Sequence, residues 1–254
     1  MDYKKFIPCI YLENGNAVKG LQDNSVISMN PLELAISYSD NGADEIMIMD
    51  LSTQDTEHEA HLHLIKEIAQ RAGVPVIGAG HINRMEDVKK ILYAGCKKAI
   101  LNLSKDSNLE LIQEVSSKFG QDKIAGAFRE FKTIKVYKKL IEQYISELIS
   151  LDELSLKESL AVTELPVLAV LPQISLDKML SILSMKHISG ISGELVNENM
   201  KDITSLKKLS SENGIIVNTF EPQLKWEDFK KTSDGLLPVV VQDYVNNEVL
   251  MVAY

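Results

Sequence analysis

The sequence predicts an α/β fold, a (β/α)8 TIM barrel with a C-terminal β-hairpin extension, and three observations carry that prediction. Short β-branched or apolar runs alternate with longer amphipathic stretches, and the alternation repeats eight times. After about residue 219 it stops, and two runs of alternating polarity joined by a tight turn take its place. The 254 residues, 45% of them hydrophobic, suffice for one large core.

Taken in order, the expected strands are FIPCI (6–10), EIMIMD (45–50), VPVIG (74–78), KAILN (98–102), KIAGAF (123–128), ELISL (147–151), PVLAV (166–170) and HISGIS (187–192). Helices are expected between them. PLELAISYSDNG (31–42), EAHLHLIKEIAQRAG (59–73) and MEDVKKILYAG (85–95) place apolar residues three and four apart and stop at a glycine, which tolerates the left-handed cap conformation. The polar stretch FEPQLKWEDFKKTSDG (220–235) reads as a linker and holds the sole tryptophan. Beyond it, LLPVVVQDYVNNEVLMVAY reads as a hairpin turning at Val245-Asn246-Asn247, where asparagine accepts the positive φ of a tight turn. The expected organisation is therefore a barrel over 1–219, a linker over 220–234 and the start of a second module over 235–254. Two strands alone bury too little apolar surface, so the chain is read as a fragment of a longer protein, or the hairpin as packing on the barrel or on a partner, including a homodimer formed through it.

A net charge of −9, spread along the chain, argues against nucleic acid as a partner. The start, MDYKKFIPCIYL, is too short and polar for a signal peptide, and no run reaches membrane-spanning length. A soluble cytoplasmic protein with two reduced thiols is expected. Cys9 and Cys96 read as small apolar core residues, with no histidine placed to activate either.

Several strings in sequence order resemble the cyclase subunit of imidazole glycerol phosphate synthase. KKFIPCIYLENGNAVKG resembles the opening of that family, ADEIMIMDLST its second strand, VPVIGAGHI its third strand and glycine-rich exit, and YAGCKKAILN its fourth. The resemblance covers most of residues 3–219 and implies histidine biosynthesis and a phosphorylated small-molecule ligand. Tyr11 and Arg129 stand where that family carries its two catalytic aspartates. Arginine keeps its proton at any working pH and a tyrosine phenol titrates near 10, so the acid/base pair that ring closure needs is expected to be absent. Glu130 is expected to point away from the mouth, since neighbours on a strand face opposite ways.

Phosphate binding is expected to survive on one side only. Gly78, Gly80 and Asn102 match the family's first phosphate loop, whereas Leu171-Pro172-Gln173 replaces the glycine-rich exit of the seventh strand, and Asp152-Glu153 stands where the family's Asp-Arg-Asp-Gly-Thr string is usual. Lys19 and Asp50 match functional positions and are the residual catalytic candidates. Lys5, Glu45 and Lys98 stand at positions resembling the family's charged gate, or are simply paired rim charges, and a glutaminase subunit is not expected as partner. The tail DGLLPVVVQDYVNNEVLMVAY resembles the opening of phosphoribosyl-AMP cyclohydrolase, a hydrolase of the same pathway. That likeness implies a fusion, with zinc or magnesium belonging to the cyclohydrolase portion and no cofactor in the 254 residues. His58, His61 and His63 in TEHEAHLHL suggest a metal set, but His63 falls off the face shared by the other two, so a polar helix start is the favoured reading.

Overall fold

The computed structural model describes residues 3–219, 224–243 and 246–253. Val245 of the expected turn and residues 220–223 of the expected linker lie outside them. The chain divides into two compact units, Met1–Thr219 and Phe220–Tyr254.

In the first unit, β1 (Lys5–Ile7) and β2 (Cys9–Glu13) are followed by an antiparallel ribbon of β3 (Asn16–Gly20) and β4 (Asp23–Ser28), then α1 (Pro31–Asp40). Regular alternation follows: β5 (Ile46–Asp50), α2 (Asp55–Arg71), β6 (Val76–Ala79), α3 (Met85–Tyr93), β7 (Lys98–Asn102), α4 (Asp106–Phe119) and β8 (Ile124–Phe128). Two short helices, α5 (Phe131–Val136) and α6 (Lys138–Tyr144), precede β9 (Glu147–Ser150) and α7 (Glu153–Leu160). The unit ends with β10 (Val167–Leu171), α8 (Leu176–Leu183), β11 (Ile188–Gly193), α9 (Glu194–Glu198) and α10 (Ile203–Glu212). The helix stops behave as the sequence suggests: Gly42, Gly73 and Gly95 have φ of 100°, 70° and 101°. Asn30, Asp152 and Ser175 cap α1, α7 and α8 by accepting a backbone N–H.

The expected first strand is a single strand interrupted at Pro8, which has no N–H to donate. Its first part, β1, pairs parallel with β11 (Phe6 opposite Ile191), and its second part, β2, pairs parallel with β5 (Ile10 opposite Ile48). Every other barrel strand pairs with its successor in parallel, so the sheet closes on itself across Pro8. At that seam the backbone of Cys9 has no strand on its open side. The side chain of Asn197, in α9, stands in for one: its Oδ1 accepts the Cys9 N–H and its Nδ2 donates to the Cys9 carbonyl, both at 2.8 Å.

Alternation along the strands separates two cores. Cys9, Tyr11, Met47, Ile77, Ala125 and Leu168 fill the barrel interior, while Ile10, Leu12, Ile48 and Phe128 face the helices. A buried ion pair binds the end of the unit to its beginning. Lys207 of α10 donates to Asp44 Oδ1 and to the Gly42 carbonyl, both at 2.8 Å, and Asp44 Oδ2 accepts the Phe6 N–H at 2.8 Å.

In the second unit, β12 (Val239–Gln242) and β13 (Val249–Ala253) form the expected antiparallel hairpin. Asn247 takes φ 62°, and Asp243 Oδ1 accepts the Asn246 N–H at 3.1 Å, so the turn uses the asparagine chemistry read from the sequence. Val239, Val240 and Val241 are all exposed, hence both faces of the ribbon are apolar.

Candidate functional site

Loops leaving the C-terminal ends of the barrel strands surround a mouth of two adjoining cavities, of about 500 and 430 Å³, which share Leu151. The larger is acidic. Asp23, Asp152, Glu153 and Glu194 line it with Lys19 as the one lining cation among the described residues, together with Tyr11, Leu171 and Pro172. Lys19 Nζ stands 3.9 Å from both Asp23 and Glu194, and Glu194 also accepts the Gln173 N–H at 3.3 Å. A doubly charged phosphate entering here would meet the carboxylates of Asp23, Asp152 and Glu194 and a lysine that two of them already hold, while Glu153 is paired with Lys178 at 2.6 Å. Gly193, at φ 94°, is required for packing: a Cβ there would stand 2.5 Å from the Leu171 carbonyl oxygen.

Tyr11 is buried on the inward face of β2. The Cys9 thiol beside it, burial and the Glu194 carboxylate together push its phenol well above the ordinary value, so it keeps its proton at neutral pH. It can donate a hydrogen bond into the cavity and cannot act there as a base.

The second cavity is lined by Asp50, Gly80, Asn102, Ser104, Arg129 and Glu130, among others. Arg129 makes no ion pair among the described residues. Glu130 lies in the cavity wall beside it, contrary to the sequence expectation: β8 ends at Phe128, and strand alternation does not extend into the loop. Gly80 has φ 100°, and a Cβ on it would come within 1.9 Å of the Asp50 carbonyl oxygen, so close approach of two strand exits already demands glycine. Gly78 faces the helix layer, where a Cβ would meet Ile91 at 2.8 Å and Cys96 at 3.0 Å. Asn102 Oδ1 accepts the Ser104 N–H at 3.0 Å.

Asp50 is the most heavily coordinated group at the mouth. His58 Nδ1 lies 2.5 Å from its Oδ2 and His61 Nδ1 2.7 Å from its Oδ1, which also accepts the Ser52 N–H at 2.9 Å. Burial works to raise the Asp50 pKa, but the hydrogen bonds from His58, His61 and Ser52 outweigh it and hold the carboxylate well below its ordinary range. His58 and His61 are 2% and 1% exposed, and His58 stacks on His81 with ring centroids 4.3 Å apart. The reading of these histidines as a polar helix start is thus corrected: they belong to the buried stripe of α2 with Leu62, Ile65 and Ile68. Their spacing with those apolar residues was the available signal; what they reach for, across the loop at the end of β5, was not. Among the described residues no group of three or more His, Cys, Asp or Glu could hold a metal ion.

At the opposite end of the barrel, the predicted charges are paired. Glu45 holds Lys5 at 2.8 Å and Lys97 at 2.6 Å, while Glu147 holds Lys98 at 2.8 Å and Ser189 at 2.7 Å. Burial favours the protonated form of Glu45, and the two lysines overcome it and lower its pKa. Glu147, Lys97 and Ser189 were absent from the sequence reading.

Fold and mouth define a (β/α)8 barrel with a small-molecule-sized opening at the C-terminal ends of its strands. The chain belongs to the family described as "Histidine biosynthesis protein", which matches residues 5–154. It is 35% identical over 129 residues to the imidazole glycerol phosphate synthase subunit HisF of Staphylococcus aureus strain JH9, covering 50% of this chain and 51% of that protein. The HisF subunit of strain N315 is equally similar, and that of strain Newman is 34% identical over the same length. The chain spans about half the length of the curated relatives it matches. No helix among the described residues is long and apolar enough to cross a membrane.

Proposed function

We propose that this histidine-biosynthesis barrel does not perform the ring closure of imidazole glycerol phosphate synthase, and that it serves as a non-cyclising domain joined to the start of a phosphoribosyl-AMP cyclohydrolase-like module. The observation that carries the first part is the mouth itself. A protonated Tyr11 and a permanently charged Arg129 occupy the two positions that resemble the family's aspartates. Neither can exchange a proton near neutral pH, and Asp50 is engaged by two histidines. The carboxylates around Lys19 further disfavour a substrate carrying phosphate at both ends. For the second part, support comes from the likeness of residues 235–254 to a cyclohydrolase opening and from a hairpin whose two faces are both apolar. Domain limits of 1–219, 220–234 and 235–254 belong to the same proposal, as does zinc or magnesium confined to the cyclohydrolase portion. So does the absence of a glutaminase partner, which stable co-purification with a glutaminase subunit would contradict.

The direct test is turnover of the aminated ribulosyl substrate with ammonia by the purified chain. No product above the uncatalysed rate is expected; rates near those of ordinary cyclases would refute the proposal. A second reading, an isomerase or lyase acting on a singly phosphorylated ligand, draws on Arg129, which has no ion pair among the described residues, beside Gly80 and Asn102. Isothermal titration with ribose phosphates tests it, and no heat of binding at millimolar concentration would dispose of it.

A further inference from the structure

The turn Asn14–Gly15 joins β2 to the ribbon β3–β4, and that ribbon overhangs the mouth: Lys19, Gly20, Gln22 and Asp23 line one cavity and Leu21 the other. Both turn residues take positive φ, 49° and 75°. Both of their N–H groups are held by α2. Asn14 donates to Glu57 Oε1 at 2.7 Å, and Gly15 donates to His61 Nε2 at 3.0 Å. The neighbours of the ring assign its tautomer. Because Nε2 accepts from Gly15, the proton sits on Nδ1 and is donated to Asp50 Oδ1 at 2.7 Å, so His61 in this arrangement is neutral.

We propose that His61 and Glu57 form an acid-released latch on the ribbon that overhangs the mouth. A second proton, taken from solvent onto His61 Nε2, would set two donors face to face and break the bond to Gly15. Glu57 Oε1, 3.7 Å from Nε2, would then turn to the imidazolium and leave the Asn14 N–H. Both anchors of the turn are lost in one protonation, while Asp50 remains a carboxylate throughout. Charges of both signs face His61. Asp50 on β5 and Glu57 on α2 are negative; opposing them is His58 on α2, which shares Asp50 and stacks on His81, itself bonded to Asp55 at 2.8 Å. The ribbon carries Leu21, Val26 and Ile27 exposed, so its release alters which apolar surface sits over the mouth. The latch is independent of which ligand the mouth takes.

Amide-resolved hydrogen exchange on the full chain, between about pH 8 and pH 5.5, covers the range in which histidines change charge. After correction for intrinsic exchange rates, protection of Asn14, Gly15 and the ribbon is expected to fall roughly tenfold on acidification, the effect of losing about one net hydrogen bond. The strand Ile46–Asp50 is expected to keep its protection. In His61→Asn the turn should be poorly protected at both pH values with no step between them. In Glu57→Gln, which keeps an acceptor for Asn14, the step should shrink. A missing step in the unsubstituted chain, an equal step in His61→Asn, or parallel loss across Ile46–Asp50 would each overturn the latch. Should His61→Asn not fold, an undiminished step in Glu57→Gln would do so.

Discussion

Replacing Asn197 by alanine tests the barrel seam. The side-chain amide meets both the N–H and the carbonyl of Cys9 at 2.8 Å, and Cys9 is 0% exposed. Asn197→Ala therefore leaves one buried donor and one buried acceptor unmatched, each costing about 1–3 kcal/mol. Asn197 itself is only half-buried, so water can reach part of the vacated space, and the lower half of the combined range applies, about 2–4 kcal/mol. For a domain of this size each kcal/mol moves the thermal midpoint by about 2–4 °C, which gives a fall of roughly 4–16 °C. Circular dichroism during heating measures it. Asn197→Asp keeps an acceptor for the N–H but sets a carboxylate against the Cys9 carbonyl, so it should be no milder than alanine. A midpoint within about 1 °C of the unsubstituted protein for Asn197→Ala, with its spectrum intact, would show that the seam is satisfied in some other way.

Lys207→Met strands the buried Asp44 carboxylate and should cost about 3–5 kcal/mol in urea unfolding, whereas adding Asp44→Asn, which keeps an acceptor for the Phe6 N–H, should restore at least half of that. Asp50 has a folded-state pKa depressed below its ordinary 3.8, so its stabilisation is complete above that value and is lost as the pH falls below it. The urea midpoint of the unsubstituted protein should accordingly drop more steeply between about pH 4 and 2 than that of Asp50→Asn; equal slopes would remove Asp50 from the acid response. Burial pushes both the Cys9 and Cys96 thiols up to about 12. Iodoacetamide at about pH 8 should therefore leave both unmodified in the folded chain and label both in urea, as mass spectrometry would report.

The barrel strands were readable because a parallel strand covered on both faces must be a continuous apolar run, and EIMIMD, KAILN and PVLAV are such runs. Glycine stops fixed three helix ends for the same local reason, a backbone conformation that other residues resist. Relations across the fold were not readable. Nothing near Pro8 in sequence points to Asn197, and nothing near Asp50 shows that the stripe of α2 will deliver two imidazoles to its carboxylate. Glu130 was misplaced because strand alternation was carried two residues past Phe128, where the strand ends. Tyr11 and Arg129 were located through resemblance; only the structure assigns them to separate cavities, one crowded with carboxylates.

The interruption at Pro8 also bears on the order in which the chain can be assembled. Of the barrel strands β1 is made first, yet its partner β11 is made last, with Lys5 opposite Gly190. Until β11 emerges, β2 can already pair with β5 while β1 dangles, so the nascent sheet grows as an open, curling ribbon with one bare edge. Closure is then a late event across nearly the whole unit, of the kind that folds slowly and leaves edge strands available to wrong partners. Because Asn197 lies just beyond β11, the residue that completes the Cys9 backbone arrives in the same instalment as the strand that closes the ring.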